Sequence, residues 1–226
     1  MSTKKSILIV SAGSGLSLSV AEQFGNEGFA VGLISRNPEK LKNLKEYLDA
    51  KGIESYTAAG DAGSAEDLTN AIQTLGEYLG GFDVVHYNAA VVKAQDILAE
   101  SSESLTKEFT VNVANTLHTL QITYPDLKQK QGALLLTGGG LALTPSADYG
   151  SLSIGKAALR SLAYQLHSRL KIENIHVGLL TVDGLIDPAS KTHSPEELAK
   201  LFYALYLDRS IVEIHHAAES THYKSL

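Results

Sequence analysis

Short, nearly unbroken apolar runs alternate with longer helical patterns along the whole 226-residue chain. The stretches "ILIV", "ALLLT" and "IHVGLLTV" are apolar on both faces of an extended strand, so both faces need cover. The intervening segments supply that cover as helices when successive strands run parallel. Strands are expected at Ser6–Val10, Ala30–Ile34, Ile53–Ala58, Val84–Asn88, Gly132–Thr137, Ile175–Val182 and Ile211–His215. Helices are expected over 15–27, 38–51, 64–80, 102–124, 150–170 and 195–208. Asn37-Pro38 offers an N-cap followed by proline at the first helical position, and Ser194-Pro195-Glu196-Glu197 adds a capping-box glutamate. The fold class is therefore α/β, a doubly wound parallel sheet of about seven strands flanked by helices on both faces. No linker or repeat interrupts residues 1–226, which read as a single domain, and the polar end "HAAESTHYKSL" is expected to fray.

Composition narrows the function classes. With no cysteine there is neither a disulfide framework nor a thiolate site. A net charge of -6 without Lys/Arg clusters leaves no footprint for nucleic acid. The apolar run in "MSTKKSILIVSAGSG" is too short for a signal peptide, and no stretch approaches a membrane span, so a cytoplasmic location without a membrane partner is expected. The eight histidines lack ligand spacing, and His215-His216 point to opposite faces of a strand, so no metal site is expected. The acidic residues of "ESSESLTKE" sit at a helix start and are expected to form a solvated face.

The turn after the first strand carries the first functional signal. In "SAGSGLS", Gly13 and Gly15 stand where a buried strand becomes a helix, so backbone N–H groups of Ala12, Gly13, Ser14, Gly15 and Leu16 can face a pyrophosphate. As a bare G-x-G-x-x-G it fails, because Leu18 holds the third position. At the end of the second strand an NAD site places Asp or Glu on the ribose hydroxyls. This chain has Ser35 and Arg36 there, a hydroxyl and a guanidinium suited to a 2′-phosphate, so NADP(H) fits better than NAD.

In this order these features resemble the short-chain dehydrogenase/reductase family over essentially the whole chain, which implies a Rossmann-like sheet. The turn "SAGSGLS" is similar to the family's phosphate loop, with Ser11 and Ser17 in place of glycines. Asp61 matches the aspartate that holds the adenine amino group. Asn88 and Ala89 in "YNAA" match an Asn-Ala-Gly turn along the cofactor. Asn112 in "FTVNVANT" matches an asparagine holding a water in the proton relay, and Lys156 in "SIGKAALR" matches the active-site lysine.

The resemblance also exposes two losses. The family has Tyr four residues before the lysine and Ser thirteen residues before that tyrosine; here these positions are Leu152 and Gly139. The implied lysine lowers the phenol's pKa and holds the nicotinamide ribose, but leucine cannot donate a proton. Tyr149, three residues before Leu152, is one candidate replacement, and a water on Lys156 and Asn112 is another. Ser151, Ser153 and Thr137 are poorer acids. Where the family has Pro-Gly after the sixth strand, this chain has Asp183-Gly184, with Ile186 expected to meet the carboxamide through its backbone. Little chain lies between Pro188 and Pro195, so the substrate pocket is expected to be open or completed by a partner subunit. The resemblance implies a homodimer or homotetramer. Two readings remain: an NADP(H)-dependent oxidoreductase on a small carbonyl or alcohol, with a non-standard proton donor, or a catalytically inactive NADP(H)-binding module.

Overall fold

The computed structural model describes residues 4–217. Seven strands form one all-parallel sheet: β1 (Ser6–Val10), β2 (Ala30–Ser35), β3 (Ser55–Ala59), β4 (Val84–Tyr87), β5 (Ala133–Thr137), β6 (His176–Asp183) and β7 (Glu213–Ala217). Their order is β3-β2-β1-β4-β5-β6-β7. The chain winds outward from β1 to β3, then crosses back to place β4 on the other side of β1. That reversal opens a crevice above the carboxyl ends of β1 and β4, where ligands of such sheets bind.

Seven α-helices cover the sheet: α1 (Leu16–Asn26), α2 (Pro38–Ala50), α3 (Ala65–Leu79), α4 (Ser102–Phe109), α5 (Asn115–Lys130), α6 (Gly150–Leu170) and α7 (Pro195–Leu207). Alternation along each strand divides the core in two. Leu8, Val10, Leu134 and Leu136 face α3, α5 and α6 through Leu75, Leu120 and Leu159. Ile7, Ile9 and Leu135 face α1, α2 and α7 through Phe24, Leu44 and Phe202. Every residue of β1 and of β5 is buried, as apolar runs covered on both sides require.

The expected strands and helices are all present, with instructive shifts. β3 starts at Ser55 rather than Ile53, because Ile53 N–H bonds back to the Leu48 carbonyl and closes the turn after α2. β7 runs two residues later than expected: Ile211 N–H closes a turn onto Asp208 O, and pairing with Leu179–Asp183 begins at Glu213. The helix expected over 102–124 is broken by one π-helical turn, Thr110–Ala114, and continues past Pro125 to Lys130. Pro125 removes the partner of the Gln121 carbonyl, but both residues are exposed, so water can take the acceptor. The polar end from Ala218 onward lies outside the described residues. Among the described residues, no helix is long and apolar enough to cross a membrane.

One expectation is corrected. Of the acidic residues in "ESSESLTKE" only Glu103 is solvated; Glu100 and Glu108 have buried side chains that converge on Lys93, at 3.2 and 3.7 Å. The loop between β4 and α4 folds back over the helix start, with Gln95 N–H donating to Asp148 O, and carries Lys93 over both carboxylates.

Candidate active site at the carboxyl ends of the strands

The turn from β1 into α1 is held by residues that the glycine pattern alone did not explain. Ser11 adopts φ 66°, a left-handed conformation that costs a non-glycine residue about 1–2 kcal/mol. Ser17, buried in the first turn of α1, donates to the Ser11 carbonyl at 3.1 Å and accepts from Asn88 Nδ2 at 2.8 Å. Asn88 N–H in turn donates to Val10 O, so the ends of β1 and β4 and the start of α1 form one unit. Ser17 therefore stitches the turn together. α2, α3, α4 and α7 are capped by the side chains of Asn37, Ser64, Ser101 and Ser194, whereas Gly15 at the start of α1 caps nothing. The first amides of α1 thus keep their partial positive charge for an external acceptor.

At the ends of β2 and β3, Arg36 Nη1 lies 4.0 Å from Asp61 Oδ2, both side chains reaching solvent. Asp61 Oδ1 accepts the Gly63 N–H at 2.8 Å, which fixes the carboxylate beside the guanidinium. Ser35 closes β2 with its carbonyl accepting the Gly60 N–H. Lys40 was not singled out in the sequence. Its ammonium hangs over the glycine turn, 3.3 Å from where a Cβ on Gly13 would stand. The signal was its place in the first turn of the capped helix after Arg36, which points the side chain back toward the crevice.

The other half of the site lies between α5 and α6. The π turn places Asn112 inward, where Oδ1 accepts the Val91 N–H at 2.7 Å and Nδ2 is buried without a partner. Gly155 makes this approach possible, because a Cβ there would stand 2.8 Å from Asn112 Nδ2. The next residue, Lys156, is buried, and its Nζ donates to the Thr137 carbonyl at 2.7 Å. Burial alone pulls its pKa down from 10.5 to about 8. Thr137 Oγ1 meets His86 Nε2 at 3.0 Å, and full burial against Phe202 lowers the His86 pKa to about 3, so this imidazole is neutral.

Leu152, buried one turn before Lys156, offers no polar atom. Gly139 has extended backbone, and a Cβ there would rest at 3.5 Å from the Lys156 stem, so space does not demand glycine. Its neighbours differ. A Cβ on Gly138 would come within 2.9 Å of Thr181 Oγ1, and one on Gly140 would overlap the Asp183 carboxylate, 2.6 Å from Cγ.

Among candidate replacement donors, Tyr149 stands at the N-cap position of α6, its ring partly exposed and its backbone bridged to Gln95. The Ser151 hydroxyl donates to buried Glu108, and Ser153 donates to Tyr149 O at 2.9 Å and accepts from Ser146 N–H, so both serines are engaged in holding the helix start. Ile186 lies in the loop after β6, past Gly184, whose φ of 151° favours glycine. His215 faces Asp183 at 3.2 Å while His216 faces the opposite side, where its ring lies 4.6 Å from His193. No group of three or more His, Cys, Asp or Glu among the described residues is arranged to hold a metal ion.

A sequence model of the family described as short chain dehydrogenase matches residues 5–197. Very-long-chain 3-oxoacyl-CoA reductase from Pyricularia oryzae is 28% identical over 196 residues, which cover 84% of this chain but only 59% of that protein. An uncharacterized oxidoreductase from Thermotoga maritima is 27% identical over 209 residues, covering 87% of this chain and 80% of the relative. Among solved structures, a metagenomic short-chain oxidoreductase in complex with NADP superposes with a TM-score of 0.85 at 19% identity, covering 96% and 98% of the two chains. A short chain oxidoreductase from Pseudomonas aeruginosa, described as containing an atypical catalytic center, gives 0.88 at 16% identity, covering 97% and 98%. At such identities the structural likeness is one of fold.

Proposed function

The chain belongs to the short-chain dehydrogenase/reductase family, and from that premise we propose that it is an NADP(H)-dependent oxidoreductase acting on a small carbonyl or alcohol with a non-standard proton donor. The observation that carries the reading is the uncapped start of α1 at the crevice between β1 and β4, with Arg36 and Lys40 beside it. Orphan amides bind a pyrophosphate, and two cations next to them suit a further phosphate on the ribose. The buried, unpartnered Asn112 Nδ2 fits a bound water or ribose hydroxyl in the same cleft. The NADP-bound protein of like fold supports the phosphorylated dinucleotide, and the 3-oxoacyl-CoA reductase supports a carbonyl as substrate.

In this reading Ala12, Gly13, Ser14, Gly15 and Leu16 hold the pyrophosphate through their backbone. Ser35, Arg36 and Lys40 take the 2′-phosphate, and Asp61 takes the adenine amino group. Asn88 and Ala89 line the cofactor, and Ile186 meets the carboxamide. Lys156 turns from the Thr137 carbonyl to the nicotinamide ribose, and Asn112 orders the water behind it. The reduced cofactor supplies a hydride. Leu152 and Gly139 leave substrate orientation to the loops after β4, β5 and β6.

A fluorescence titration with NADPH and, separately, NADH tests this. A charge-assisted contact to phosphate is worth about 1.5–3 kcal/mol, so NADPH is expected to bind about 10- to 100-fold tighter. Failure of both to bind refutes the reading. The simultaneous loss of the family's Ser and Tyr favours a second reading, an inactive NADP(H)-binding module. Sustained NADPH oxidation with any member of a broad carbonyl panel refutes that alternative. We further propose self-association through the outer faces of α5 and α6, which expose Leu117, Ile154 and Tyr164; light scattering on the eluting protein reads the mass.

A further inference from the structure

We propose that Asp183 and His215 form the proton-transfer pair of this site, with His215 carrying the proton that Leu152 cannot. The proposal rests on the reading that the cleft reduces a carbonyl. Asp183 closes β6, and its Oδ2 lies 3.2 Å from His215 Nε2 on β7. The other side of the same carboxylate packs on Gly140, where a Cβ would stand 2.6 Å from Asp183 Cγ and 3.0 Å from its Cα. Gly139, the preceding residue, packs on the Lys156 stem. Both glycines follow β5: Gly139 borders the Lys156 stem, and Gly140 borders the Asp183 carboxylate. Gly140 is what admits the acidic group from β6, since a Cβ there would overlap it.

The surrounding charges leave His215 to Asp183. Glu213, two residues earlier on the same face of β7, is already held by Arg160 Nε at 2.9 and 3.0 Å, by Tyr164 at 2.7 Å and by Thr181 at 2.6 Å. Arg160 and Tyr164 lie on α6, one and two turns beyond Lys156. On the opposite face of the strand the His216 ring packs against His193, the two planes tilted by 32°. The His215 side chain is 46% exposed and Asp183 only 23%, so the imidazole reaches solvent while its anchor is sheltered. Bonding through Nε2 leaves Nδ1 to exchange the proton. An imidazolium is a far stronger proton donor than a serine hydroxyl. With NADPH supplying a hydride to the carbonyl carbon, His215 as imidazolium would give its Nδ1 proton to the carbonyl oxygen, leaving NADP+ and an alcohol, and the neutral imidazole would regain a proton from water. Asp183 is a positioning residue that orients the ring.

Two measurements test the pair. In protein carrying ¹³C-labelled histidine, with the His215 signal assigned by its loss in His215→Asn, saturating NADP+ is expected to displace that signal. If other signals saturate with NADP+ while His215 stays in place, the proposal is overturned. If no signal moves, the cofactor reading falls, and this proposal with it. On any carbonyl the wild type reduces, His215→Asn is expected to lower kcat about 10²- to 10⁴-fold, with the KM for NADPH within about twofold of wild type. Asp183→Asn is expected to lower kcat less, and added imidazole to restore turnover in His215→Ala. Unchanged kcat in His215→Asn overturns the proposal, whereas a purely structural role would leave imidazole without effect.

Discussion

Replacing Lys156 with methionine removes a charge from the protein interior while keeping an unbranched side chain one atom shorter. A lysine whose pKa falls from 10.5 to about 8 on folding weakens the fold by about 3 kcal/mol at pH 7, at 1.36 kcal/mol per pH unit. Losing its hydrogen bond to Thr137 O costs about 1 kcal/mol. Lys156→Met is therefore expected to be more stable than wild type by about 2 kcal/mol at pH 7, or roughly 4–8 °C in Tm for a chain of this size. The pH dependence follows from the protons bound in each state. Between pH 8 and 10.5 the unfolded lysine keeps a proton that the folded one releases, so wild-type stability rises with pH. Below pH 8 both states are protonated and the penalty is complete; above 10.5 it is gone. The advantage of the variant should shrink across this window and reverse once only the lost hydrogen bond remains. Urea unfolding of both proteins without nucleotide, from pH 7 to 10, reads the difference directly. A variant less stable at pH 7, or a difference independent of pH, refutes the account of a desolvated charge held in readiness for a ligand. The same variant should bind NADPH more weakly, so stability and binding would move in opposite directions.

Three further outcomes are expected. His86, with a pKa near 3 in the fold and 6.5 when unfolded, should cost the wild type about 2 kcal/mol as pH falls from 6.5 to 5, because the unfolded chain binds the extra proton; His86→Leu should lack that acid slope in thermal melts. Gly139→Ala should be tolerated within about 0.5 kcal/mol, whereas Gly140→Ala should lose about 1–3 kcal/mol through overlap with Asp183 in urea unfolding; equal losses would contradict the packing described for this run. Arg36→Ala and Lys40→Ala should each reduce the preference for NADPH over NADH about tenfold in fluorescence titrations, with the preference falling as salt rises; an unaffected Lys40→Ala would place that ammonium outside the phosphate site.

Much of the candidate site was legible in outline because its residues sit at positions that the fold defines locally. The turn Ser11–Gly15 follows a buried strand, and Arg36 follows the next; both are recognisable from order along the chain. Asn112 and Lys156 were found by family spacing, although the π turn that aims Asn112 inward and the bare Gly155 that receives it were not. The acidic run spanning the start of α4 was misread because Lys93, which pairs with Glu100 and Glu108, arrives on a loop that no periodicity describes. Lys40 and the His215–Asp183 pair escaped for a similar reason: each is defined by contact with a glycine or a strand distant in sequence.

By itself the sequence determined the parallel sheet, its helical cover and the strand ends that bear the polar residues. These follow from the period and apolar length of local segments, which act over a few residues at a time. It also determined which groups are missing, since Leu152 and Gly139 have no proton to give in any fold. Only the tertiary structure decided what stands in the space they leave. Gly138, Gly139 and Gly140 are interchangeable in the sequence, yet one faces Thr181, one Lys156 and one Asp183. That difference arises from strand register and from side chains brought together across the sheet, and a linear pattern carries neither.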